Sequence, residues 1–235
     1  MPLDTPPATG HHYAMWRALF LGLAFLLPLP VRAQEFVEVP QLISDEDFYR
    51  VVACAAPPGG ACTKPMIAWP RDRGLTLRVG IAQVATDFPD YKLDLVDAAL
   101  DDAIDQINGV GAHLFLERVY EGEMDIPVFL VDTPEGGVVT DTGNTELDGA
   151  SISIGRVVLR SRGDIILAAT IAISRDIRRR EIASVVLEEL VQSMGLPTDI
   201  ASDAYSRSIF SETSNSTVWL QGQDAAALRR HYPRL

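Results

Sequence analysis

Cysteine, histidine and basic side chains are the scarce components of this chain, and each shortage removes a class of function. The 235 residues hold two Cys and four His, and only His113 and His231 lie beyond residue 33. No further Cys exists to complete a thiolate metal site around Cys54 and Cys62. Twenty Lys and Arg stand against 32 Asp and Glu, a net charge of −12. That acid excess argues against nucleic acid and anionic membrane surfaces as partners. No G-x-S-x-G occurs and no His is placed by motif beside a Ser, so serine-nucleophile catalysis has no support. Repeats and low-complexity segments are missing as well.

Long apolar runs are missing but for one. Arg17 precedes A-L-F-L-G-L-A-F-L-L-P-L (18–29), too short to span a bilayer comfortably and followed by P-V-R-A-Q. This pattern predicts a signal peptide over residues 1–33, cleaved after Ala33 to leave Gln34 as the mature start. Met15 is an alternative start. No Cys follows the cleavage site to take a lipid, and no transmembrane anchor is expected in the mature chain. The expected destination is the periplasm or the exterior. There, Cys54 and Cys62 in C-A-A-P-P-G-G-A-C are expected to close a short disulfide loop. A metal pair is the alternative for these two thiols.

What is present is ordinary for a globular protein: 47% hydrophobic and 22% charged residues, enough for a single domain over 34–235. Ser44 or Asp45 caps a short helix through Phe48, Val51 and Val52. A strand is predicted from Leu75 (L-T-L-R-V-G-I). An amphipathic helix follows over Leu93 to Ile107, whose polar side, Asp94 to Asp105, reads as a solvated face rather than a calcium site. Strands are predicted in H-L-F-L-E-R-V-Y, D-I-P-V-F-L-V-D, S-I-S-I-G-R-V-V-L and I-I-L-A-A-T-I-A-I-S. Thr133 to Gly149 reads as a loop and Arg162-Gly163-Asp164 as a turn. Asp224 to Tyr232 reads as a closing helix. Strands and helices are segregated in this order, which predicts an α+β fold: a mixed twisted sheet with two main helices packed on it.

The chain is organised around E-I-A-S-V-V-L-E-E-L-V-Q-S-M-G-L-P-T-D (181–199). Ile182, Val186, Leu187, Leu190, Val191 and Met194 form a broad apolar face of a helix, with Glu181, Ser184, Glu188 and Gln192 in a polar wedge. Asp176 is predicted to cap it, and Gly195 with Pro197 to stop it. Its frame is that of an H-E-x-x-H zinc helix, in which two His one turn apart hold the metal and the intervening Glu is the general base. Here Glu188, Glu189, Gln192, Gly195 and Thr198 occupy the corresponding positions. The base and the Gly remain, and the His ligands do not.

That order of elements resembles the zincin metallopeptidase fold. More closely, the chain resembles a family of secreted bacterial proteins, the domain of unknown function numbered 2927. The residues that carry the resemblance are F-Y-R-V-V-A-C-A-A-P-P-G-G-A-C (48–62), Trp69, I-S-R-D-I (173–177), E-E-L-V-Q-S-M-G-L-P-T-D (188–199) and S-I-F (208–210). It covers nearly all of the mature chain. Thr198-Asp199 and Ser211-Glu212 stand where members of that family tend to carry Asn-Asp. The resemblance implies a degenerate zinc-peptidase scaffold, and the expected function is non-catalytic binding of a peptide or an envelope protein. The alternative is a divergent metal-dependent hydrolase, with Glu189 as general base and a divalent ion on Glu188, Gln192 and Asp199. Such an all-oxygen set suits calcium, magnesium or manganese better than zinc. His113 and His231 read as surface or packing residues.

Overall fold

The computed structural model describes residues 1, 36–70 and 76–234. The predicted signal peptide and its cleavage point lie outside them, apart from Met1. Backbone contacts gather the described residues from Phe36 onward into one compact unit, the larger of two. The larger unit has the α+β character expected of its pattern. Its elements are β1 (Phe36–Glu38), α1 (Asp45–Cys54), β2 (Thr76–Val84), α2 (Asp90–Gly109), β3 (Phe115–Arg118), β4 (Ile126–Val131), β5 (Gly155–Arg162), β6 (Ile165–Ser174), α3 (Ile182–Gln192), β7 (Asp199–Ala201) and α4 (Gly222–His231).

Five strands form the main sheet in the order β3-β2-β4-β6-β5. The first four are parallel, and β5 runs antiparallel to β6 at the edge. Side chains alternate along a strand, and the sheet uses both faces. Ile126, Val128 and Leu130 of β4 enter the large core with α2 and α3, whereas Phe129 and Val131 enter a second, smaller cluster. The loop over 133–149 supplies that cluster with Val139 and Leu147, joined by Ile152. The predicted loop is therefore a layer with a small core of its own. The strand expected from Ser151 begins only at Gly155, because Ser151 pairs with Val138 inside this layer.

Two helices cover the other face. In α2 the buried residues Val96, Ala99, Leu100, Ala103, Ile104 and Ile107 recur at helical spacing. Its acidic side meets a cation: Arg118 of β3 pairs with Asp97 and with Asp101, the latter at 3.0 Å. Helix α3 lies deeper and packs on α2, β5 and β6. Most of the polar wedge read from its sequence is buried too: Glu181, Ser184 and Gln192 are shielded from solvent and Glu188 is half-buried. Asp176 does not cap it. The residue preceding the helix is Glu181, and the Asp176 carboxylate instead accepts from the Glu135 amide at 3.1 Å.

A short parallel pair, β1 with β7, sits apart from the main sheet. Helices α1 and α4 pack on each other nearby. Ser44 caps α1 by accepting from the Asp47 amide at 3.1 Å. The Cys54–Cys62 disulfide is formed. It ties the end of α1 to a strap, residues 62–70, that crosses the C-terminal end of α3. Along the strap Trp69 Nε1 donates to the Ser193 carbonyl (2.9 Å), and Ala68 bridges to Ile165 at the start of β6. The Tyr232 hydroxyl donates to the Met194 carbonyl, and the Trp69 amide donates to that hydroxyl at 3.0 Å. The bonds to the Ser193 and Met194 carbonyls satisfy acceptors at the end of α3 that have no partner within the helix.

Candidate functional site

The site is built where α3 runs past the start of β5. Glycine opens the space. A methyl group on Gly155 would overlap Glu189 Oε1 and lie 2.6 Å from Val185 Cγ1, so the backbone of β5 touches α3 directly at this point. Glu189 is buried in that contact. A carboxylate placed so deeply is costly unless it is compensated, and here it is lodged between the helix and the edge strand. One turn on, Gln192 is buried as well, and its Nε2 donates to Asp199 Oδ1 at 2.8 Å.

Asp199 comes from β7, which is held on two sides. Phe36 of β1 pairs with it, and Ile200 forms a parallel bridge with Ser211. The bridge is made by the Ile200 amide to the Phe210 carbonyl (2.7 Å) and the Glu212 amide to the Ile200 carbonyl (3.1 Å). It brings Glu212 into the field of Glu188. Burial pushes the Glu188 carboxyl well above the usual carboxylate range, and the neighbouring Asp199, Glu189 and Glu212 push it the same way. A half-buried carboxyl surrounded by like charge gives up its proton less readily than a free one, because ionising it adds another negative charge to the group.

The structure thus brings together Glu188, Glu189, Gln192 and Asp199, the four residues named for the hydrolase alternative. It adds Glu212, which the sequence reading named only as a departure from the family pattern and gave no role in the site. The signal for it was the Ser211-Glu212 pair that follows S-I-F (208–210), since nothing local marks a bridge between residues 200 and 211. Thr198, at the third-ligand position of the extended zinc signature, is fully buried, and its Oγ1 has no hydrogen-bond partner among the described residues. His231 lies elsewhere as a packing residue: its Nε2 is 2.9 Å from the Ile67 carbonyl, and its Nδ1 is 3.2 Å from the Tyr49 hydroxyl.

The donors do not suit zinc. Zinc sites take His and Cys first, and this site offers carboxylates and one amide whose nitrogen is already bonded to Asp199. Among the described residues no three His, Cys, Asp or Glu side chains are grouped with metal-binding geometry. What the arrangement does supply is a group of acidic side chains in which the ionisation of Glu188 is opposed, near the edge strand β5, whose one partner among the described residues is β6. No helix among the described residues is long and apolar enough to cross a membrane. The chain has no match among curated proteins. Residues 136–235, which span β5, β6, α3, β7 and α4 and so contain every residue of this site, match the family described as "Protein of unknown function (DUF2927)".

Proposed function

We propose that this chain is a non-catalytic binding module that takes an extended peptide along the outer edge of β5. The observation that carries the proposal is β5 itself, an antiparallel edge strand whose one partner among the described residues is β6. An open edge presents unpaired N–H and C=O groups, and an extended segment adds to it as a further strand. The carboxyl group beside that edge supports a basic peptide. An ammonium or guanidinium brought in by the peptide offsets the repulsion that Asp199, Glu189 and Glu212 exert on Glu188. Two features support the view of the scaffold as zincin-like and degenerate. One is the order edge strand, inner strand, E-E-L-V-Q-S-M-G helix. The other is the Gln192–Asp199 bond, which occupies two of the groups a metal would need.

The test is a titration of the ¹⁵N-labelled protein with an extended lysine-containing hexapeptide and its glutamate counterpart. Saturable shifts along 155–162 with the basic peptide alone are expected, weakened at least tenfold in Glu188→Gln. Binding that leaves the β5 amides unmoved rejects the proposal.

A second reading keeps the same residues. A hard divalent ion on Glu188, Gln192 and Asp199 with Glu189 as general base makes the protein a divergent hydrolase, favoured by the cation-seeking character of Glu188. Elemental mass spectrometry of protein incubated with calcium, manganese and zinc separates the two. Near-stoichiometric metal favours the hydrolase, and its absence favours the binding module. Export through a leader cleaved after Ala33 belongs to the same proposal, and the disulfide supports an oxidising destination. N-terminal sequencing of the exported protein tests it.

A further inference from the structure

A separate cleft lies where the topology of the sheet changes direction. From β2 the chain passes through α2 to β3 on one side of β2, then returns to β4 on the other side. The carboxyl ends of β2 and β4 are therefore the point from which the chain departs in opposite directions. In open parallel sheets the connections diverge there, leave a crevice, and ligands occupy it. The crevice is present: a cleft of 290 Å³ is lined by residues that follow β2 and β4 and by the tip of the 133–149 layer. That volume is at the lower end of the range for small-molecule sites, about 300–1,000 Å³.

The lining states the ligand chemistry. Thr86 closes it after β2, Thr133 after β4, and Thr140 and Thr142 from the covering layer, over an apolar floor that includes Phe129. Asp132 also lines it, but its charge is matched by Arg175. Asp141 is different. It is exposed in the cleft wall, and its φ of +61° places it in the left-handed region, which Asp tolerates better than most residues. Such backbone positions persist where the surroundings impose them and are enriched at ligand sites. The Thr142 hydroxyl is taken up within the loop, donating to Asp148 and accepting from the Asn144 amide. Thr86, Thr133 and Thr140 therefore carry the hydroxyls that both donate and accept, and with one carboxylate that accepts two bonds they match a neutral ligand carrying several hydroxyl groups. Asp141 disfavours an anion, and no cation-binding group of three acidic side chains is present among the described residues.

We infer that the cleft beyond the carboxyl ends of β2 and β4 binds a neutral carbohydrate, with Asp141 accepting bonds from neighbouring hydroxyls and the threonines reading the rest. The site is independent of the carboxyl group on α3.

Titration of the ¹⁵N-labelled full chain with glucose and with N-acetylglucosamine tests it, alongside inorganic phosphate and calcium chloride. Saturable shifts at Thr86, Thr133, Thr140 and Thr142 with either sugar are expected, with the dissociation constant raised at least tenfold in Asp141→Ala. Thr140→Val, on an exposed loop, checks the same wall without disturbing the left-handed residue and is expected to weaken binding severalfold. Shifts produced only by phosphate or calcium, or none at these residues, overturn the inference. So does sugar binding that both variants leave unchanged.

Discussion

At Gly195 the backbone turns with φ of +96°, and a methyl there would overlap the Ile67 carbonyl oxygen and lie 2.9 Å from His231 Nε2. The sequence marks this glycine as a helix terminator. The structure gives it a second duty, the close approach of the strap. Gly195→Ala meets both the left-handed penalty and the overlap, and is expected to cost about 2–4 kcal/mol in a urea melt. Buried carboxyls set the pH dependence. Asp224 of α4 accepts from Ser208 Oγ (2.6 Å) and from the Ile209 amide (2.9 Å), yet burial lifts it from 3.8 to about 6. Its folded-state value lies above its unfolded one, so between about pH 4 and 6 the folded chain holds the extra proton. Stability is then greatest at the acid end of that window and falls as pH rises through it, by at most about 3 kcal/mol. Glu188 acts in the same direction. Asp224→Asn is expected to flatten the slope of unfolding free energy against pH between 4 and 6 and leave the part due to Glu188. An unchanged slope would remove Asp224 from the account.

Among the elements, the strap over 62–70 depends on a bond the sequence made visible and on contacts it did not. Cys54 and Cys62 are eight residues apart, and closing so short a loop stabilises by about 2–3 kcal/mol in the chain-entropy account. Cys62→Ser is expected to lower the free energy of unfolding by that amount in a urea melt. Because the Trp69–Ser193 bond anchors the same strap to α3, the loosening should also quicken amide exchange at residues 193–196; loss of stability without that local change would mean the strap is held by its other contacts alone. Helices α1, α2 and α4 and strands β2, β4 and β6 were legible because their apolar spacing matches one period and one buried face. The capping of α3 was not. Asp176 has the right residue type at a plausible distance, but the amide of Glu135, 41 residues away, takes its carboxylate. Long-range partners of this kind override local preference and leave no trace in a sequence window.

For the molecule as a whole, the sheet and α3 form the rigid part and the 133–149 layer the thin one. Helix α3 is buried on nearly every side, while the layer rests on a cluster of six buried residues. Amide exchange is therefore expected to be slowest in α3 and the inner strands β4 and β6, and faster by orders of magnitude at 140–146. Comparable protection in the two regions would contradict this division. The amino-acid sequence by itself determined the α+β class, the helix frame at 188–195, the disulfide pair and four of the five polar residues of the site. Periodicity, spacing and residue type are local properties, and they suffice for these. Only the tertiary structure decided that most of the polar wedge of α3 is buried and that Gln192 bonds to Asp199. It alone recruited Glu212, and it alone opened a cleft where β2 and β4 part. Each of these depends on which strand lies beside which, and strand order follows from the packing of the whole core rather than from any single stretch of chain.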